Sequence, residues 1–215
     1  MRHPMWLAGA LLGLFGILGS ALVALTYEST AERIARNERE ALLRQLHALV
    51  PAVTVDNDLL TDTIEIQAAD ALGAESTTVY RGRMKDQSIA AVFSPVIAQG
   101  YNGAIKLIVA VNTDGSLGGV RVLSHKETPG LGDKIDENRS DWILGFAGRS
   151  LGDPVEVKWK VKRDGGEFDQ FTGATITPRA IVKAAKQTLL YFLKYRDSLF
   201  KPAPIEETAQ AGGTS

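Results

Sequence analysis

The stretch WLAGALLGLFGILGSALVAL, residues Trp6 to Leu25, sets the architecture of this chain. No formally charged side chain occurs between His3 and Tyr27. Twenty helical residues at about 1.5 Å each extend roughly 30 Å, the hydrocarbon thickness of a bilayer. Because this apolar run is longer than the core of a secretory signal peptide, we predict an uncleaved transmembrane helix over residues 6–25.

The charges beside this span do not fix its orientation. Arg2 precedes it, and several arginines follow it before residue 45: Arg33, Arg36, Arg39 and Arg44. However, residues 26–32 contain no Lys or Arg, and long domains translocate largely regardless of charge. An orientation with residues 1–5 in the cytoplasm and the larger domain outside is therefore allowed but not required.

Composition excludes several functional classes. The 215 residues include 24 Lys and Arg against 25 Asp and Glu, a net charge of −1, so we expect no nucleic-acid partner. Cysteine is absent, which excludes disulfides, thiolate nucleophiles and iron–sulfur ligation by this chain. The three histidines lie far apart and match no metal-ligand spacing, so we expect no metal site.

The pattern after the span predicts a helix and then one α+β domain. Apolar residues recur at helical spacing over residues 26–50, and Pro51 ends this juxtamembrane helix. A domain over residues 51–200 contains short β-like runs at residues 77–80, 89–98, 104–112 and 119–123. Without regular βαβ alternation, these runs favour an antiparallel sheet. Residues 201–215 lack the apolar content to pack and are predicted to be a disordered tail.

Two more elements are predicted towards the C-terminus. The strict alternation of apolar and polar residues over Val155–Lys162 predicts a half-buried antiparallel strand. A second helix is predicted from Pro178 to about Phe200, with Thr177 as its N-cap. Its apolar face comprises Ile181, Ala185, Leu189, Phe192 and Leu193.

The loop SHKETPGLGDK, residues Ser124–Lys134, follows a predicted strand and is the first candidate site. Two glycines around Leu131 would let the backbone approach a planar ligand closely. Lys134 could offset negative charge there. The alternative is a plain Pro-Gly turn, because this glycine pair is not a dinucleotide fingerprint.

The loop DQFTGATITP, residues Asp169–Pro178, is the second candidate site. Its threonines precede a predicted helix N-terminus, where unpaired N–H groups and the helix dipole favour a phosphate. Gly173 and Ala174 leave room for a bulky group, and the Thr175 hydroxyl can carry a phosphoester. The alternative is a helix-capping loop with no ligand.

These two loops, together with Gly100–Lys106 and Ser140–Trp142, resemble the G subunit of the bacterial Rnf (or Rsx) electron-transport complex. The likeness extends from about residue 5 to 200. In that family the motif Asp-x-x-[Ser/Thr]-Gly-Ala-[Ser/Thr], here Asp169–Thr175, is specific to covalent attachment of FMN.

The resemblance implies a role for each residue of the two loops. A flavin transferase would attach FMN by its phosphate to Thr175, and Asp169 would be required by that transferase. The residues between them, Thr172, Gly173 and Ala174, would line the attached group. The isoalloxazine ring would be bordered by Glu127, Thr128, Gly130, Leu131 and Gly132.

The resemblance also implies a function for the whole chain. It would be a single-span subunit of the bacterial inner membrane with its domain on the periplasmic side. Together with other membrane subunits it would couple ferredoxin/NAD electron transfer to ion translocation, relaying electrons without completing the reaction alone. Two alternatives remain: the C subunit of the sodium-translocating NADH:quinone reductase, and a non-redox membrane-anchored binding or assembly module.

Overall fold

The computed structural model of the protein describes residues 5–201. The predicted N-terminal segment 1–5 and the predicted tail 201–215 therefore lie outside the described residues, except at Met5 and Lys201. The described chain divides into two compact units, one ending at Arg44 and the other beginning at Gln45.

Helix α1 (Met5–Leu49) runs without interruption for 45 residues. It joins the predicted span and the predicted juxtamembrane helix into one element, which ends two residues before Pro51. Within the described residues, this is the helix that is long and apolar enough to cross a membrane. Its large apolar side chains, such as Trp6, Phe15 and Leu25, are exposed, as lipid contact requires.

The second unit is built on a five-stranded antiparallel sheet in which every strand pairs with its neighbour in sequence. This confirms the predicted α+β fold, and β4 has the bounds expected from the sequence. The strands are β1 (Thr63–Ile66), β2 (Thr77–Met84), β3 (Gln87–Gln99), β4 (Ala104–Asn112) and β5 (Leu117–Ser124). Two helices complete the unit, α2 (Ala69–Leu72) and α3 (Ile176–Leu199).

Alternating side chains of the sheet are buried on both faces. Leu107, Val109 and Val111 of β4 belong to the main core cluster, together with the predicted apolar face of α3 apart from Leu193. Leu193 is half exposed and does not belong to the core cluster, so the buried part of the predicted apolar face is narrower than its five residues. On the opposite face, Val50 and Val55 fill the space beside Gly82 of β2.

The predicted strand over Val155–Lys162 is absent from the structure. Glu156–Lys158 form a short 3-10 helix instead, and Val155 and Val157 are exposed. The alternation was misleading because a strand needs a partner, and this segment pairs with neither edge of the sheet. Trp159 is buried nonetheless, and its ring N–H donates to the carbonyl oxygens of Ser150 and Pro154.

Candidate functional site

A cavity of about 480 Å³ lies at the N-terminus of α3. This volume is within the range of small-molecule and cofactor sites in proteins. The cavity brings together nine residues of the two candidate loops and three residues from outside them. Its lining comprises Tyr101, Glu127, Thr128, Leu131, Gly132, Arg163, Gly173, Ala174, Thr175, Ile176, Thr177 and Arg179.

Thr175 is the residue immediately before α3 and one of the residues that line the cavity. Its carbonyl oxygen accepts the backbone N–H of Arg179 in the first turn of the helix, at 3.3 Å. The hydroxyl makes no capping bond to the helix. Thr175 thus lies at the N-terminus of α3, where the first N–H groups and the dipole of the helix favour an anion.

Two arginines are among the residues that line this cavity. Arg163 Nη1 donates to Thr175 Oγ1 at 3.5 Å. Arg179 lies one helical turn after Thr175 and donates from Nε and Nη2 to the two carboxylate oxygens of Asp164, at 2.5 and 2.6 Å. The hydrogen bond from Arg179 holds the pKa of the Asp164 carboxyl below its usual range.

These arginines could not be assigned to the site from sequence. Arg179 could have been suspected, because a residue four positions after Thr175 shares its helix face. Arg163 lies 12 positions before Thr175 in sequence. It belongs to the segment between Val161 and Phe168, two residues that form an isolated β-bridge outside the sheet. No local pattern marks that bridge.

Glu127 is a buried carboxylate at the wall of the cavity. Its Oε1 accepts the backbone N–H of Asn102 at 3.0 Å, and its Oε2 accepts the Thr177 hydroxyl at 2.5 Å. A buried carboxylate requires such donors, because an unpaired one would be strongly destabilising. Glu127 thus connects the β3–β4 turn, its own loop and the first turn of α3.

The predicted role of Thr177 as the N-cap of the second helix is wrong. The helix begins at Ile176, so Thr177 lies within its first turn, and its buried side chain is committed to Glu127. The competing partner could not be foreseen, since Glu127 is 50 residues away in sequence.

The loop at residues 128–132 is tightly turned. The Thr128 carbonyl oxygen accepts the N–H groups of Leu131 and Gly132, both at 3.1 Å. Gly130 adopts a φ of 79° that favours glycine, but it is not part of the cavity lining. Gly132 is, and a Cβ there would lie 2.6 Å from Glu127 Oε2. Its lack of a side chain is therefore required by close packing.

The remaining predicted residues differ in their distance from the cavity. Gly173 and Ala174 line it, and Gly173 faces the half-exposed side chain of Leu131. Thr172 is exposed and does not belong to the lining. Asp169 lies outside the lining as well, with an exposed carboxylate that pairs with Lys162 at 2.6 Å. Lys134, the suggested balancing charge, is also absent from the lining.

The chemistry of these residues fits a flavin mononucleotide. Arg163, Arg179 and the helix N-terminus suit a phosphate. Leu131, Ile176 and the rim residue Tyr101 offer apolar and aromatic surface suited to a planar ring. Within residues 5–201, no cluster of three or more His, Asp or Glu side chains is suited to hold a metal ion.

Comparison with known proteins gives two family matches and a set of similar proteins. The FMN-binding domain family matches residues 100–190, and the RnfG N-terminal region matches residues 1–49. A protein of Shewanella loihica is 49% identical over 208 residues, covering 96% of this chain and 98% of the relative. A Pseudomonas aeruginosa protein (strain UCBPP-PA14) is 46% identical over 202 residues, covering 94% of each. Both are named as the G subunit of an ion-translocating oxidoreductase complex.

Proposed function

The chain belongs to the family of G subunits of ion-translocating oxidoreductase complexes, and we propose that it carries one FMN bonded through its phosphate to Thr175. Membership makes it a membrane-anchored component of a redox complex with an FMN-binding domain. It also favours the Rnf resemblance over the quinone reductase subunit and the non-redox module.

One observation carries the assignment of Thr175. Of the three threonines in the loop, Thr175 alone is a lining residue of the cavity whose hydroxyl makes neither a helix cap nor a bond to a buried partner. The Thr177 hydroxyl is buried against Glu127. Thr172 lies outside the cavity. These positions support attachment at Thr175 rather than at either neighbour.

Attachment requires an activated phosphate, which a flavin phosphoanhydride supplies. The Thr175 oxygen forms the new bond to phosphorus, the phosphoanhydride bond breaks, and the hydroxyl proton leaves with the nucleotide leaving group or with a base of the transferase. The flavin transferase would bind the exposed carboxylate of Asp169. This role would explain why the motif includes a residue that does not line the cavity.

The bound FMN would supply one- and two-electron redox chemistry, while the protein sets its position and environment. Glu127, Thr128, Leu131 and Gly132 would border the ring, with Gly130 shaping the turn behind them. Electrons would pass between this cofactor and redox centres in other membrane subunits. We propose that the complex couples ferredoxin/NAD electron transfer to ion translocation, with the domain of this chain on the periplasmic side of the inner membrane.

The test is covalent flavin fluorescence on a denaturing gel after co-expression with a flavin transferase. Wild type, Thr172→Ala and Thr177→Ala should be fluorescent, and Thr175→Ala should be dark. Mass measurement of the intact wild-type protein should show the addition of one whole FMN group, attached through its phosphate. A fluorescent Thr175→Ala band would place the linkage elsewhere, and a dark wild-type band would reject covalent flavinylation.

A further inference from the structure

Arg163 donates to the Thr175 hydroxyl, and Arg179 is another residue that lines the same cavity; neither belongs to the flavinylation motif. We propose that Arg163 and Arg179 form a phosphate-binding pair that recognises the FMN phosphate at Thr175, with Asp164 positioning Arg179. This inference rests on the proposed function, because it takes Thr175 as the attachment residue.

Charge supports this role. The cluster of Arg163, Arg179 and Asp164 has two positive charges and one negative charge, a net charge of +1. A phosphodiester at Thr175 would carry a single negative charge, opposite in sign to the net charge of this cluster. Both arginines are among the residues that line the cavity, and Arg163 reaches the Thr175 oxygen that would carry the phosphate.

Geometry supports it as well. A guanidinium has five N–H donors in a rigid plane, and Asp164 takes two of those on Arg179. The bidentate pair fixes the plane of the guanidinium while its other donors remain for a second anion. Within residues 5–201, Arg163 forms no ion pair with a carboxylate, and its side chain donates to the Thr175 hydroxyl.

The bidentate pair of Arg179 with Asp164 is shorter than two other arginine pairs at the surface of the same unit. Elsewhere in the same unit, Arg139 approaches Asp133 at 3.7 Å, and Arg149 approaches Asp153 at 3.9 Å. Those pairs are single and loose, and neither lies at the cavity. Arg149 therefore provides a matched control, because it is a surface arginine of similar exposure to Arg179.

The first experiment measures recognition without a transferase. In the full-length Thr175→Ala protein, free FMN and riboflavin are titrated by fluorescence, since the two ligands share the ring and differ in the phosphate. FMN should bind more tightly than riboflavin. Adding Arg163→Gln or Arg179→Gln should raise the dissociation constant for FMN about tenfold, as for a lost charge-assisted hydrogen bond. Riboflavin binding should not change.

Arg149→Gln should leave the affinity for both ligands unchanged, and Arg163→Lys or Arg179→Lys should restore only part of the FMN affinity, since lysine keeps the charge and loses the planar fork. If FMN binds no more tightly than riboflavin, or if the arginine variants weaken both ligands equally, the phosphate-binding pair is rejected.

The second experiment follows attachment itself in proteins that retain Thr175. The initial rate of covalent labelling by a flavin transferase should fall about tenfold or more in Arg163→Gln and Arg179→Gln. Labelling of Arg149→Gln should match wild type. Fluorescent wild type with equally fast arginine variants would overturn the phosphate-binding pair alone. Unlabelled wild type would overturn the proposed function and this inference together.

Discussion

The Thr177 hydroxyl donates to Glu127 Oε2 at 2.5 Å, and both side chains are buried although 50 residues separate them in sequence. This bond fixes the first turn of α3 against the loop that the resemblance assigns to the flavin ring. Because Thr175 lies two residues before Thr177, the same bond also restrains the position of Thr175 at the cavity.

Thr177→Val should destabilise the protein by about 1–3 kcal/mol, because a buried carboxylate oxygen loses its donor. Thr188→Val is the matched control: Thr188 is a buried threonine of the same helix whose hydroxyl donates to the Ala184 carbonyl oxygen. The Ala184 carbonyl oxygen keeps its backbone hydrogen bond within the helix when the Thr188 hydroxyl is removed. Thr188→Val should therefore lower the free energy of unfolding by less than Thr177→Val. Denaturant unfolding of both variants gives the comparison, and equal losses would contradict the role of Glu127.

Gly132→Ala and Gly130→Ala should have different effects. A Cβ at Gly132 meets Glu127 Oε2 and Thr177 Oγ1, at 2.6 and 3.0 Å, so it should disturb the cavity and shift the absorbance and fluorescence of the bound flavin. A Cβ at Gly130 meets nothing within 4 Å, so its φ of 79° should cost only about 1 kcal/mol of stability. Identical flavin spectra for the two variants would contradict the prediction that Gly132 borders the bound flavin.

The ion pair of Asp164 with Arg179 should make stability depend on acid pH. The folded pKa of Asp164 lies below the usual value, so the pair contributes above the ordinary carboxyl pKa of about 3.9 and is lost as pH falls through the lowered value. The stability difference between wild type and Asp164→Asn should be constant at neutral pH and shrink below about pH 4. Urea unfolding from neutral to acid pH measures it, and a difference that grows in acid would reverse the assignment.

A reporter enzyme active only outside the cytoplasm, fused after Phe200, should be active if the domain faces the periplasm. A second fusion at the same site with a reporter active only in the cytoplasm should be silent. This pair controls for expression, and the reverse pattern would invert the proposed topology.

The sequence predicted elements whose signal is local. The run at residues 104–112 combines β-branched residues with a turn signal after it, and it forms β4 with those bounds. The motif residues Gly173, Ala174 and Thr175 also line the cavity as expected from their place before a helix. The expectation for Val155–Lys162 failed because alternation says nothing about whether a partner strand is available.

The site itself could be predicted only in part, because its charged half depends on contacts between distant segments. Arg163 lies in a segment that is bridged to Phe168 outside the sheet. Thr177 does not cap the helix locally; its hydroxyl donates to Glu127, which is 50 residues away in sequence. A single sequence contains no periodicity that records such pairings. Motif recognition therefore singled out Thr175, the proposed attachment residue, and missed the two arginines that line the same cavity.

The order of the strands in the sheet bears on the stage of folding at which the cavity forms. Each strand of the meander pairs with the strand next to it in sequence, so the sheet can assemble through short loop closures as the chain emerges. The wall of the cavity is complete only when the first turn of α3 packs against the Glu127 loop, where Thr177 donates to Glu127. A modifying enzyme that recognised the complete cavity would therefore act only on chains whose C-terminal helix has already docked.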